Sequence, residues 1–85
     1  MNLSERQKNV LQCVIDAKNE GKRPFTRGVH NRMIAKGYEI TERQCAYDLG
    51  VIINTKGTGV ISMKLGNRPT CWIYSKPSEE ATANV

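Results

Sequence analysis

The sequence predicts a small α+β domain in which three helices precede a β-hairpin. Two segments open with the same pattern, Ser-Glu-Arg-Gln at 4–7 and Thr-Glu-Arg-Gln at 41–44, each followed by apolar residues at helical spacing. Later in the chain, two β-rich runs flank a four-residue loop with Gly and Asn, which is typical of a hairpin. With 85 residues, 39% of them hydrophobic, the chain is expected to form one domain around one modest core.

The first helix is predicted over about residues 5–19. Ser4 and Gln7 form a capping box, because the serine accepts from an orphan N–H and the glutamine reaches back. Gly21 ends the helix, since glycine readily adopts the left-handed conformation. The apolar positions between them recur at helical spacing and are Val10, Leu11, Val14, Ile15 and Ala17.

A basic, proline-containing connection leads into a second helix, and Thr26 is predicted to cap it. Its inner face is predicted to consist of Val29, Met33 and Ile34. Gly37 ends this helix, and only three residues separate it from the capping box of Thr41 and Gln44. The third helix, over 41–54, faces inward with Cys45, Leu49 and Ile52. A short helix, a tight glycine-containing turn and a capped helix form a helix-turn-helix arrangement.

The predicted hairpin has strands at 60–65 and 70–75, with Ile61, Met63 and Leu65 on one face of the first strand. Three helices followed by one hairpin is the element order of a winged helix-turn-helix domain, in which the hairpin is the wing. This domain is predicted to span residues 1–76. Residues 77–85 are small, polar and acidic and are predicted to form a disordered tail.

Positive charge is unevenly distributed along the chain, whose net charge is +5. Residues 22–43 hold six cationic and two acidic side chains, and residues 44–76 hold four cationic and one acidic side chain. Residues 1–21 are balanced. This distribution is expected if one face meets a polyanion such as nucleic acid. The alternative interpretation is that the basic balance only keeps a small protein soluble.

Several classes of function lack the residues that they need. The cysteines, Cys13, Cys45 and Cys71, are far apart without a CxxC pair, and His30 is the only histidine, so a metal site is not expected. Each cysteine falls at an apolar position, which indicates a reducing compartment. No signal-peptide core or membrane-spanning run is present, so a cytoplasmic protein of a bacterial cell or a phage-infected host is expected. No catalytic constellation, cofactor site or small-molecule substrate site is predicted.

The start of helix one, Leu3-Ser4-x-Arg6-Gln7-x-x-Val10, and the stretch Pro24-Phe25-Thr26-Arg27 resemble the N-terminal domain of the LexA repressor family. That domain is a winged helix with a similar capped first helix and a similar Pro-x-Thr-Arg entry to helix two. The resemblance covers about the first 27 residues and implies the DNA-binding module alone.

The outward face of helix three carries the predicted base contacts. Opposite its apolar residues lie Arg43, Gln44, Tyr47, Val51 and Asn54. Arginine can bind guanine and glutamine can bind adenine, each with two hydrogen bonds, and tyrosine can touch a phosphate or a thymine methyl. The alternative is an ordinary solvated face. Thr41, at the start of the same helix, is also predicted to contact DNA.

Two other segments are predicted to hold the DNA backbone. Thr26 and Arg27 open helix two, whose N-terminus favours phosphate. The wing residues Lys64, Asn67 and Arg68 are predicted to enter the minor groove or grip the backbone, although such residues also protect hairpins from aggregation. Trp72 is predicted to be structural, covering the junction of helix three and the wing.

These features predict a sequence-specific, repressor-like transcription regulator that binds double-stranded DNA. A single small domain reads few base pairs, so a homodimer on paired half-sites is expected, with helix one or the tail as the interface. The main alternative is a winged-helix protein-interaction module, such as a phage inhibitor of a host protein complex, which would expose apolar or acidic patches. A third is binding to RNA, Z-form DNA or DNA of any sequence.

Overall fold

The computed structural model describes residues 2–76 and shows the predicted order of elements. The elements are α1 (Glu5–Asn19), α2 (Thr26–Ala35), α3 (Glu42–Ile53), β1 (Val60–Met63) and β2 (Cys71–Tyr74). The prediction of an α+β domain with three helices and one C-terminal antiparallel hairpin is confirmed. No helix in the described range is long and apolar enough to cross a membrane. The predicted tail, 77–85, lies outside the described residues.

Local hydrogen bonds define the helix ends as the sequence predicts. In both capping boxes the cap hydroxyl accepts from the backbone of the third helical residue, Gln7 in α1 and Gln44 in α3. Both glutamine side chains accept in return from the cap backbone N–H, at 3.0 and 2.9 Å. After α1 and α2 the chain turns at Gly21 and Gly37, which have φ of +75° and +90°. Only glycine adopts this conformation without strain, so these two positions set where the helices stop.

The start of α2 differs from the prediction. Phe25 is the N-cap residue and makes no side-chain capping bond, whereas Thr26 is the first helical residue. The Thr26 hydroxyl oxygen accepts a 2.8 Å hydrogen bond from the indole N–H of Trp72. The prediction that Thr26 caps α2 is therefore wrong, because a long-range contact engages its side chain.

The hairpin is shorter than predicted and is joined by a further piece of chain. Ile61 pairs with Ile73, and Met63 pairs with Cys71. On the other edge of β2, Phe25 forms an isolated bridge with Cys71, and the Pro24 carbonyl accepts from the backbone N–H of Trp72 at 2.9 Å. The connection between α1 and α2 thus adds a single β-bridge to the edge of the two-stranded sheet, which sequence patterns did not predict because one bridge has no periodicity.

The core lies between the three helices and the inner face of the hairpin. Its largest fully buried apolar side chains belong to Met33, Leu49, Ile52, Val10, Val14 and Val29. The inward positions predicted for α1 and α3 are confirmed, with Ile15 only partly buried. In α2, Ile34 is half exposed, so its assignment to the inner face is wrong. The buried side chains of α2 are Val29 and Met33, which are four positions apart on one face of the helix, and Ile34 lies at the edge of that face.

A buried ion pair joins α1 to α3. Asp48 is fully buried, and its two carboxylate oxygens accept from the Nε and an Nη of Arg6 at 2.7 and 3.0 Å. The side-chain amide of Gln7 donates to the same carboxylate at 3.3 Å. Every buried side-chain polar atom in the described range has a hydrogen-bond partner, which is the condition for burying a charge at acceptable cost.

Candidate functional site

The first turns of α2 and α3 meet the hairpin loop around one open groove of about 830 Å³. Its lining consists of Phe25, Thr26, Arg27, Glu42, Arg43, Ala46 and Pro69. Three predicted site residues, Thr26, Arg27 and Arg43, are therefore brought together although they come from two helices. The bridge between Phe25 and Cys71 places the start of α2 beside the hairpin, which closes one side of the groove.

The outward face of α3 continues from this groove along the helix. Arg43 and Gln44 are exposed, and the Tyr47 side chain is 67% exposed. A shallower hollow of about 450 Å³ follows, lined by Ala46, Tyr47, Gly50, Val51, Asn54 and Thr55. Val51, which was predicted on the outward face, is partly buried against the core and still lines this hollow.

The capping box limits what Gln44 and Thr41 can offer to a ligand. The Gln44 Oε1 accepts from the Thr41 backbone N–H, which occupies one of its two lone pairs and fixes the direction in which the amide points while the cap is intact. The Thr41 hydroxyl accepts from the Gln44 backbone N–H at 3.0 Å and keeps its own proton for donation. A contact of Gln44 to adenine with two hydrogen bonds would have to use the second lone pair of Oε1 together with Nε2.

At the entry to α2, Arg27 is exposed and lines the groove. Because Phe25 supplies no side-chain acceptor, the first-turn N–H groups of α2 have no cap and carry the positive end of the helix dipole. Thr26 is held in place by the indole of Trp72, which is buried; the prediction placed this indole over the junction of α3 and the wing, and its hydrogen bond is to α2. The indole therefore positions one wall of the groove rather than facing solvent.

The hairpin loop carries the remaining predicted residues. Lys64, Asn67 and Arg68 are all exposed, and a turn bond from the Arg68 backbone N–H to the Leu65 carbonyl, 3.1 Å long, shapes the loop. Of this loop only Pro69 lines the groove. The three polar side chains do not line the groove.

Some of the cationic side chains in residues 2–76 form salt bridges and others do not, and Lys8, Lys18, Arg23 and Lys56 are among those in no salt bridge. On the side where α1 meets α2, Arg32 binds Glu20 at 2.9 Å and Lys36 binds Asp16 at 2.8 Å. These bonds lower the pKa of Asp16, through Lys36, and that of Glu20, through Arg32. In contrast, within residues 2–76 no salt bridge involves the cations at the groove and loop, which are Arg27, Arg43, Lys64 and Arg68.

Three residues with a role at or behind the site were not singled out from the sequence. Glu42 lines the groove directly beside Arg43, and Phe25 forms its apolar wall. Asp48 fixes α3 to α1 from behind. An aspartate at an inward helical position among apolar residues was the available signal for the buried pair.

The histidine and the buried cysteines do not form a catalytic or metal-binding group within the described residues. The His30 ring is half-buried, and its Nε2 lies 2.7 Å from the Ile40 carbonyl oxygen. Across residues 2–76, no three His, Cys, Asp or Glu side chains are grouped so that they could hold a metal ion. Burial raises the pKa of the Cys45 thiol to about 12 and also raises that of Cys13.

Comparisons of the chain with known protein families, with characterised proteins and with solved structures find no match.

Proposed function

We propose that this chain is a winged helix-turn-helix domain that binds double-stranded DNA and acts as a sequence-specific transcription regulator. The observation that carries the proposal is the set of cations without salt bridges around the groove where α2, α3 and the hairpin meet. These four cations form no salt bridge within the described residues, and Glu42 is the one carboxylate that lines the groove beside them. A phosphate backbone is the polyanion that would neutralise such a surface.

In the proposed complex, the N-terminal half of α3 enters the major groove and the hairpin is the wing. Arg43 reads guanine through its O6 and N7 atoms. Tyr47 contacts a neighbouring thymine methyl or phosphate, and Gln44 donates through its amide nitrogen. Arg27 and the uncapped first turn of α2 hold a phosphate, while the wing residues Lys64 and Arg68 hold the flanking backbone or minor groove.

Glu42 supports base contact at the start of α3. Its carboxylate lines the groove next to Arg43 and would repel a phosphate placed there. A carboxylate can instead accept from the N4 amino group of cytosine. The first turn of α3 is therefore better suited to base edges, and the first turn of α2 to the backbone.

The alternative is a winged-helix module that binds another protein, and one observation favours it. Ile61 and Leu65 of the hairpin region are 51% and 64% exposed, so this region presents apolar surface that a DNA duplex does not require. The two functions make opposite predictions for salt, because an apolar protein contact does not release counterions.

The deciding experiment measures affinity for a random-sequence DNA duplex over a series of salt concentrations. Arg43→Ala and Arg68→Ala are compared with Lys18→Ala, which removes the same charge from an exposed position of α1 away from the groove. We expect steep salt dependence for the wild type. Arg68→Ala should reduce the slope of log K against log salt by about one, because it removes a phosphate contact, and Arg43→Ala should weaken binding through the loss of a base contact.

The control variant separates a DNA-reading face from general attraction by net charge. Lys18→Ala should change affinity much less than either test variant. Equal losses in all three variants would indicate attraction without a defined face. No binding of wild type even at low salt would refute the proposal and leave the protein-interaction module.

A further inference from the structure

The loop at the tip of the hairpin carries an exposed leucine between two cations. Leu65 is 64% exposed, more than any other leucine, isoleucine or methionine among residues 2–76. Lys64 precedes it, and the turn bond from the Arg68 backbone N–H to the Leu65 carbonyl closes the loop between Leu65 and Arg68. Turn segments normally consist of glycine, proline and small polar residues, so the turn itself does not call for a leucine here.

The end of the hairpin has little bulk beside this leucine. Gly66 has φ of +59°, a conformation that suits glycine, and a Cβ at this position would meet no atom within 4 Å. The minor groove of B-form DNA is about 6 Å wide, so a segment approaches it closely only if it carries little bulk. Because Gly66 has no side chain, its neighbour Leu65 can extend further towards the floor of such a groove.

The leucine follows the face of the hairpin that adjoins the candidate DNA-binding groove. Side chains of directly paired residues in an antiparallel sheet lie on the same face, and Cys71 pairs with both Phe25 and Met63. Phe25 lines the groove, as does Pro69 of the hairpin loop. Leu65 lies two positions after Met63, the spacing that places side chains on one face of an extended chain. The hairpin therefore presents Leu65 on the side from which DNA would approach.

We infer that Leu65 is a wedge that enters between two adjacent base pairs from the minor groove and bends the duplex. The inference rests on the proposed function and adds a deformation of the DNA to it. Proteins that bend DNA insert apolar side chains between base steps, which partly unstacks them and kinks the duplex. Lys64 and Arg68, in no salt bridge within the described residues, hold the neighbouring phosphates while the leucine is buried between bases.

The mixture of groups at the tip favours a duplex over an apolar protein surface. A protein surface placed on Leu65 would also remove water from Lys64 and Arg68, which costs free energy unless each cation gains a partner. On DNA the phosphates pair with both cations in the same contact that buries the leucine. A single protruding side chain is also sufficient for a wedge, whereas a stable protein interface needs a much larger area.

The first test compares binding, at low salt, to two duplexes of about 30 base pairs that differ only in one central T·T mismatch. Opening a step costs least where pairing is already lost, so the wild type should bind the mismatched duplex at least about fivefold more tightly. Leu65→Ala should bind both duplexes equally, with an unchanged salt slope because no charge is removed. Leu65→Met keeps a long apolar side chain and should retain the preference. Ile61→Ala is the matched control, since Ile61 is 51% exposed on the same hairpin but lies further from the tip.

The second test measures bending of the matched duplex through energy transfer between dyes at its two ends. We expect energy transfer to rise when the wild type or Ile61→Ala binds, and to stay unchanged when Leu65→Ala binds. A wild type that binds both duplexes equally would overturn the inference, as would Leu65→Ala that keeps the mismatch preference or the bend. Equal losses in Ile61→Ala and Leu65→Ala would also overturn it. Binding without bending or mismatch preference refutes the wedge alone, whereas absence of binding to either duplex refutes the proposed function and the wedge with it.

Discussion

The ion pair between Arg6 and Asp48 should make the stability of the protein depend on which partner is removed. Asp48 is 0% exposed, whereas the Arg6 side chain is 42% exposed. Arg6→Met keeps the aliphatic part of the side chain but leaves the carboxylate buried, with the Gln7 amide as its remaining side-chain donor. We expect this change to lower the free energy of unfolding by about 2–4 kcal/mol.

The reverse change should cost far less. Asp48→Leu replaces a buried carboxylate by an apolar side chain, and the freed guanidinium of Arg6 can turn into water because it is already partly exposed. We expect a loss of about 1 kcal/mol or less. In the double variant neither charge remains, so its stability should return to within about 1 kcal/mol of the wild type.

Urea denaturation followed by the fluorescence of Trp72, the only tryptophan, measures all three variants. Trp72 is buried, so unfolding changes its environment. A domain of this size has a stability of roughly 4–13 kcal/mol, so the loss in Arg6→Met is resolvable. The slope against urea should stay constant if only stability changes. Equal losses in the two single variants, or a loss under about 0.5 kcal/mol in Arg6→Met, would refute the desolvation argument.

Three further predictions concern a thiol, a glycine and a surface ion pair. Burial raises the pKa of Cys45 to about 12, whereas Cys71 is partly exposed on the sheet. A thiol reagent at pH 8 should therefore label Cys71 rapidly, and Cys13 and Cys45 only after unfolding. Labelling of Cys45 at the rate of Cys71 would contradict the buried position. A Cβ at Gly50 in α3 would meet no atom within 4 Å, so Gly50→Ala should raise the free energy of unfolding by about 0.5–1 kcal/mol in urea titrations, and a destabilised variant would contradict this. The hydrogen bond from Lys36 holds the pKa of Asp16 below its usual value. This ion pair therefore stabilises the folded protein at pH values above the unfolded pKa of Asp16, about 4. The stabilisation is lost as the pH falls through the lower pKa of the folded state. The free energy of unfolding of the wild type should exceed that of Lys36→Met by under about 0.5 kcal/mol at pH 6, because solvent screens the pair. This difference should vanish near pH 2. A difference that stays unchanged over this range would exclude the carboxylate as its source.

The amino-acid sequence by itself determined the features that depend on neighbours in the chain. Both capping boxes, the stops at Gly21 and Gly37 and the hairpin could be predicted because each involves residues a few positions apart. Helical periodicity identified the inward faces of α1 and α3, since an amphipathic helix buries its apolar side whatever it packs against. The uneven distribution of positive charge was also visible without a fold.

The tertiary structure alone decided the contacts between residues far apart in sequence. Arg6 and Asp48 are 42 positions apart, and Trp72 and Thr26 are 46 apart, so no local pattern could pair them. The bridge from Phe25 to Cys71 likewise depends on how the hairpin packs beside α2. These contacts bring the groove together and leave Ile61 and Met63 of β1 exposed. Local propensity determines whether an element forms, but the candidate surfaces arise from where the packed elements leave polar or apolar groups facing solvent.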